Sequence, residues 1–131
     1  MSGSSGLRGH RDLRVFQLAY QVAMEVFRAS KSFPADERYS LTDQIRRSSR
    51  SVAANIAEGF RKRRYEASFI NKLTDSDAEA TETQVWLDFA RDCGYIDTQL
   101  RDSLPGKLEE VGRMLGSMIA NPEPFLIPLN K

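Results

Sequence analysis

Apolar residues recur at spacings of three and four along four stretches of this chain, and only an amphipathic helix places residues so spaced on one face. The first stretch takes Asp12 as its N-cap and carries Leu13, Phe16, Tyr20, Ala23 and Phe27. It stops before Pro34, because the residue ahead of a proline is pushed out of the helical region. The second starts near Asp36 or Ser40 and carries Leu41, Ile45, Val52, Ile56 and Phe60. The third spans roughly Tyr65 to Cys93. There Phe69, Leu73, Ser76, Ala80, Thr83, Leu87 and Ala90 form a heptad-like seam with small residues at its centre, and Gly94 is the expected C-cap. The fourth begins near Asp97 with Leu100, Leu104, Leu108, Val111, Leu115, Met118 and Ile119. Pro105 and Gly106 should kink it or delay its start to about Leu104, and Asn121-Pro122 ends it. No segment alternates apolar and polar residues between hairpin turns, so strands are not expected. The predicted fold is all-α, an antiparallel up-down-up-down four-helix bundle over residues 11–121. A small, polar, flexible tail precedes it (1–10) and an extended Pro-rich tail follows it (122–131).

Composition removes whole classes of function. The chain holds 1 Cys and 1 His, which excludes a disulfide framework and a zinc site. The single His10 falls in the expected N-terminal tail, so no histidine serves as general base inside the bundle. Cys93, without a histidine partner, reads as a small buried hydrophobe. A di-iron bundle needs Glu-x-x-His motifs, and none is present. Asp75, Asp77 and Glu79 do not begin an EF-hand, because its sixth position is Ala80 and its twelfth is Trp86. Gly112 and Gly116 have the spacing of a close-packing motif. The longest uncharged run, Val15 to Met24, is ten residues, well short of the ~20 that span a bilayer. No signal-peptide pattern opens the chain. These readings predict a cytoplasmic protein with no catalytic activity, no metal and no cofactor.

The net charge of +1 hides a strong segregation. From Arg46 to Arg64, seven basic residues (Arg46, Arg47, Arg50, Arg61, Lys62, Arg63, Arg64) face Glu58 alone, a net of +6. From Asp75 to Glu110, ten acids face Arg91, Arg101 and Lys107, a net of −7. Such a split bears on partners rather than on fold. On a helical wheel advancing ~100° per residue, the apolar residues of the second helix lie within ~60° of Ile45. Arg46, Arg47, Arg50 and Arg61 fall between ~100° and ~200°, while Gln44, Ser51 and Asn55 form a flank near ~240–280°. An arginine face of this kind is either a solvated surface or a phosphate- or carboxylate-reading one, since the guanidinium fork suits both anions. Asn55, between core and solvent, is expected to be a buried hydrogen-bonder that fixes helix register.

The residues from Glu37 to Ser48 (ERYSLTDQIRRS) and from Ser51 to Arg61 (SVAANIAEGFR) resemble the four helix bundle protein family. Its members include proteins encoded inside intervening sequences of bacterial 23S ribosomal RNA genes. The shared signatures are E-x-Y-x-L-x-x-Q-I-R-R and N-I-A-E-G-x-x-R. Phe33-Pro34, Glu82-Thr-Gln and Cys93-Gly-Tyr-Ile extend the likeness over roughly residues 12–121. One departure is Asp75-Ser76, where the family often has Gly-Ser. The resemblance implies a homopentamer around a central channel. It also implies a fold similar to the accessory variability protein of diversity-generating retroelements, which binds nucleic acid through a basic surface and partners a reverse transcriptase. By the resemblance, Gln44, Arg46, Arg47, Asn55, Glu58, Gly59 and Arg61 are signature positions.

Two functions from different classes stay open on the sequence. In one, the basic residues bind RNA or an RNA–DNA hybrid through phosphates, without base stacking, because aromatic interleaving is thin. In the other, the protein is a scaffold whose basic and acidic faces pair between copies or dock a protein partner.

Overall fold

The computed structural model describes residues 7–128. Four helices make the body: α1 (Arg14–Ser30), α2 (Asp43–Arg61), α3 (Glu66–Asp92) and α4 (Thr98–Ala120). α2 packs on α1 and α3, and α4 packs on α3 and α1, which closes the antiparallel bundle. Among the described residues there is no strand, and no helix is long and apolar enough to cross a membrane.

The core is where period and side-chain size agree. Every residue of the stripe expected for the second helix (Leu41, in the turn ahead of α2, and Ile45, Val52, Ile56 and Phe60 in α2) and of the α3 seam is buried. At the centre of the α2–α3 contact the register is set by hydroxyls. Ser48 Oγ and Thr83 Oγ1 are 2.8 Å apart, and Ser76 Oγ donates to the Val52 carbonyl at 2.8 Å. All three side chains are fully shielded from water. Small polar residues let the helix axes approach while leaving no buried donor unmade. Asn55 has no such part: its Nδ2 donates to Ser51 O in its own helix, so it ties no second helix into register.

α1 departs from the expected face. Val15, Ala19, Val22, Ala23 and Val26 enter the core, whereas Phe16 and Phe27 are half-buried and Tyr20 is 56 % exposed. α1 carries two apolar stripes of equal period, and the slimmer β-branched one fits the inter-helix space. The helix also starts later than expected. Leu13 holds the N-cap position, and Asp12 sits in the preceding 3-10 turn (His10–Asp12), accepting from Arg8 N at 2.7 Å.

The connection from α1 to α2 is a 3-10 turn (Ala35–Glu37) running into a π-helical turn (Arg38–Thr42). Glu37 holds it together. Its carboxylate accepts from Ser40 Oγ at 2.7 Å, Leu41 N at 3.4 Å and, from the α3–α4 link, Tyr95 OH at 2.9 Å. The hydrogen bonds from Ser40 and Tyr95 hold the Glu37 pKa below its ordinary value, and Glu37 in turn pushes the Tyr95 phenol up to about 12. At α4, Asp97 caps the first turn by accepting from Leu100 N at 2.9 Å, and the helix runs on through Pro105 without the delayed start expected. Gly94 ends α3 with a φ of 76°, the left-handed conformation that glycine adopts without strain.

Three further expectations are corrected. Cys93 is exposed, because it lies beyond the last core position, Ala90, on the outward side of the helix end. Gly116 is exposed, and a Cβ added there would meet nothing within 4 Å, so the glycine pair on α4 does not mark close packing. The tails are not free where they are described. Leu7 packs on the core, His10 meets Phe16 edge-on at 4.8 Å, and Phe125, in a 3-10 turn (Glu123–Phe125), stacks on Phe69 at 6.2 Å. The rest of both expected tails (1–6 and 129–131) lies outside the described residues.

Candidate nucleic-acid interface

The basic residues of α2 do not form one patch; the structure divides them among three surroundings. Arg47 turns toward α3, where its Nη2 is 3.1 Å from Glu82 Oε2, and the same oxygen accepts from Trp86 Nε1 at 3.1 Å. Arg47 also reaches Gln44 Oε1 at 3.4 Å. Lower on this flank Glu58 pairs with Lys72 at 2.8 Å, and the Lys72 hydrogen bond holds the Glu58 pKa below its ordinary value. At Gly59, α2 approaches α3 closely: a Cβ there would sit 3.1 Å from Lys72 Cβ. The signature positions Gln44, Arg47, Glu58 and Gly59 therefore follow the α2–α3 flank as packing and pairing residues, whereas Asn55 bonds only within its own helix. Arg47 is 57 % and Glu82 36 % exposed in this pair, so it contributes at most about 1 kcal/mol.

Arg46 and Arg50 turn the opposite way, toward α1. Arg46 Nε donates to the buried Ser30 Oγ at 2.7 Å, and its guanidinium lies 4.9 Å from the Phe27 ring centroid. Lys31 Nζ at 4.8 Å and the Arg50 guanidinium at 5.6 Å approach the same ring. Three cations thus share one aromatic ring, which attracts each of them through its quadrupole.

The third group sits at the end of α2. Arg61, Lys62 and Arg64 are exposed and make no ion pair among the described residues. Arg63 stacks on its neighbour Phe60 at 3.9 Å and donates to the Phe60 carbonyl at 2.9 Å. Burial, and after it the charge of Arg61, pushes the Arg63 pKa down from its ordinary value. The N-terminal turn packs against α2, with His10 beside Ala57 near this end, and brings the exposed Arg11 and the preceding Arg8 together with the exposed acid Asp12, which accepts from Arg8 N. Sequence reasoning misses Arg8 and Arg11, because they lie far from the cluster along the chain, in a stretch that reads as a tail.

Between Arg50 and Arg61, eleven positions or ~16 Å along the helix, the α1-facing side of α2 presents only Ala53, Ala54 and Ala57. With Phe16, Tyr20, Met24 and Phe27 of α1 they line an apolar groove of about 410 Å³, closed by His10 at one end and Arg50 at the other. On the far side of the bundle, α3 exposes Val85 (43 %) and Phe89 (54 %) beside Asp88 and Asp92, which share Arg91. No cluster of His, Cys, Asp and Glu among the described residues is placed to hold a metal.

Fold and surface define a four-helix bundle with one strongly basic end and an open apolar groove. Residues 11–117 match the family model described as 23S rRNA-intervening sequence protein, and the chain belongs to that family. A crystal structure of a protein with unknown function from the S23 ribosomal protein family of Bacteroides thetaiotaomicron has the same fold. It has a TM-score of 0.73 and 28 % identity, over 82 % of this chain and 96 % of that one. No curated protein matches.

Proposed function

We propose that this protein is a non-catalytic nucleic-acid-binding bundle that holds the phosphates of RNA, or of an RNA–DNA hybrid, at its basic end. The observation that carries this reading is the run of Arg61, Lys62 and Arg64, all exposed and without an ion pair among the described residues, with the exposed Arg8 and Arg11 on the N-terminal turn that packs against the same helix. Cations so placed release counterions when they meet a phosphate backbone. Arg46, Arg47 and Arg50 contribute less than their sequence suggests, because each already has a contact within the bundle. A role beside a ribonucleoprotein or a reverse transcriptase is what the family resemblance adds. If all five cations meet phosphates, the log–log salt slope should lie between about −3.5 and −4.5, so affinity falls about a hundredfold or more between ~50 and ~200 mM salt. Fluorescence anisotropy with a structured RNA and a matched DNA measures it. A slope near zero, or no binding at the lower salt, would refute the reading.

A second reading is favoured by a separate observation, the apolar groove beside α1. Its occupant is a second copy of this chain, presenting Val85 and Phe89 with the acids Asp88 and Asp92 toward Arg46 and Arg50. Apolar surface meets apolar surface and the charges are complementary. Because the two patches differ, the contact is head-to-tail and closes a ring if the rotation permits; by the resemblance that ring has five copies. Tyr20→Glu, at an exposed position, should reduce the mass seen by light scattering to that of the monomer. An unchanged mass, with Phe89→Glu equally silent, would exclude this contact.

A further inference from the structure

The end of the bundle opposite the Arg61–Arg64 cluster holds a second concentration of positive charge, of which the readings above use only Arg46. Where α1 ends and the chain turns toward α2, a cavity of about 440 Å³ is bordered by Lys31, Arg38 and Arg46, with the hydroxyls of Ser30 and Thr42 and the ring of Phe27. No carboxylate lines it. The nearest acids in sequence, Asp36 and Asp43, are exposed outside it, and Glu37 is turned away toward Ser40 and Tyr95.

Arg46 is pre-oriented here. Its Nε is held by Ser30 Oγ, a hydroxyl only 2 % exposed, and its plane is held over Phe27. Both Nη groups make no hydrogen bond among the described residues and are left for an incoming fork-shaped anion. Thr42, 9 % exposed, lines the cavity with a hydroxyl that makes no hydrogen bond among the described residues. Lys31, beside the same Phe27 ring, adds a compact point charge. Three cations gathered with no counter-charge repel one another, and an anion carrying nearly two charges relieves that repulsion.

We propose that this cavity binds a phosphate monoester carried on an aromatic group, the class of the nucleoside 5′-monophosphates. A phosphate monoester carries about −1.5 to −2 at neutral pH and offers three strong acceptor oxygens. The phosphoryl group takes the Arg46 fork, Lys31, Arg38 and the Thr42 hydroxyl. Phe33 and Pro34, on the wall beside the cations, give the carrier an apolar face. The volume lies within the range of ordinary small-molecule sites. Free nucleotide and the phosphorylated end of a strand share this chemistry. The inference stands apart from the basic-end reading, since the two sites lie at opposite ends of the bundle.

The test is calorimetric titration of the full chain with adenosine 5′-monophosphate, adenosine and inorganic phosphate. The monophosphate should bind at least about tenfold tighter than either fragment. Lys31→Gln and Arg38→Gln, at exposed positions without ion pairs among the described residues, should each weaken it about tenfold while leaving the thermal melt unchanged. Arg46→Lys should weaken it too, by losing the fork. Arg61→Gln should have no effect. In the Arg61→Gln/Lys62→Gln/Arg64→Gln variant, which weakens backbone binding at the other end, binding to a short 5′-phosphorylated strand but not to its 5′-hydroxyl twin, displaced by the free monophosphate, identifies a strand end as the source. Monophosphate binding with both strands bound equally identifies the free nucleotide. The proposal is overturned if the monophosphate shows no heat up to about 1 mM, if inorganic phosphate binds as well, or if Lys31→Gln and Arg38→Gln leave the affinity unchanged.

Discussion

The buried hydroxyl pair between α2 and α3 makes an asymmetric prediction. Thr83 Oγ1 lies 2.8 Å from the Glu79 carbonyl and 2.8 Å from Ser48 Oγ. Each hydroxyl has one proton. The Thr83 proton goes to the carbonyl, so Ser48 must donate to Thr83; its alternative, the Ile45 carbonyl, is 3.4 Å away. Thr83→Val keeps the volume but removes the acceptor, leaving a fully buried Ser48 donor with only that long contact. An orphaned buried donor costs about 1–3 kcal/mol, and the fallback places this case near the lower half of that range. Ser48→Ala removes the donor itself. It orphans nothing and gains helix propensity, so its cost should stay below about 1 kcal/mol. The double variant replaces both groups by apolar ones and should be no less stable than Thr83→Val alone, a coupling of about 1 kcal/mol. Urea unfolding at fixed protomer concentration reads all four proteins. Equal losses for the two single variants, adding in the double, would refute the proton assignment.

Two further predictions concern the packing and the links. Gly59→Ala places a methyl against the backbone-anchored Lys72 Cβ, and overpacking of about 1–3 kcal/mol should outweigh the ~1 kcal/mol helix gain; Gly106→Ala, with nothing within 4 Å, should instead raise the melting temperature. A Gly59→Ala protein more stable than the parent would contradict the close approach of α2 and α3. Tyr95, raised from 10.0 to about 12, is favoured neutral in the fold. The stability it contributes is therefore complete below pH 10 and lost as pH rises toward 12. In an ultraviolet tyrosinate titration, one of the 4 tyrosines should ionise late, and Glu37→Gln should bring it back toward the others. Four coincident midpoints in the parent would show that the Glu37–Tyr95 bond is absent in solution.

The sequence discloses α2 and α3 well because their apolar residues form one stripe each, so period alone selects the buried face. α1 has two, Val15–Ala19–Val22–Val26 and Phe16–Tyr20–Phe27, and periodicity cannot say which turns inward; the partner helices decide it by the room they leave. The seven basic residues of α2 and its end are visible as a charge excess. Their division is not, because it depends on Ser30, Phe27 and Glu82 from other helices. Arg8, Arg11, Lys31 and Arg38 join the basic surfaces only through the folded connections. Glu37 is a signature residue whose work, bridging two links through Tyr95, appears only when residues 58 positions apart meet.

The central claim is that the cations at the end of α2, which make no ion pair among the described residues, and not the arginines along its length, hold nucleic acid. Anisotropy titrations of the Arg61→Gln/Lys62→Gln/Arg64→Gln variant and of Arg47→Gln, over the same salt series with the same RNA, compare the two directly. The triple variant should reduce the magnitude of the salt slope by about 2 to 3 and weaken all sequences alike, while Arg47→Gln changes the slope by less than about 1. Binding abolished by Arg47→Gln and unaltered in the triple variant would contradict the account.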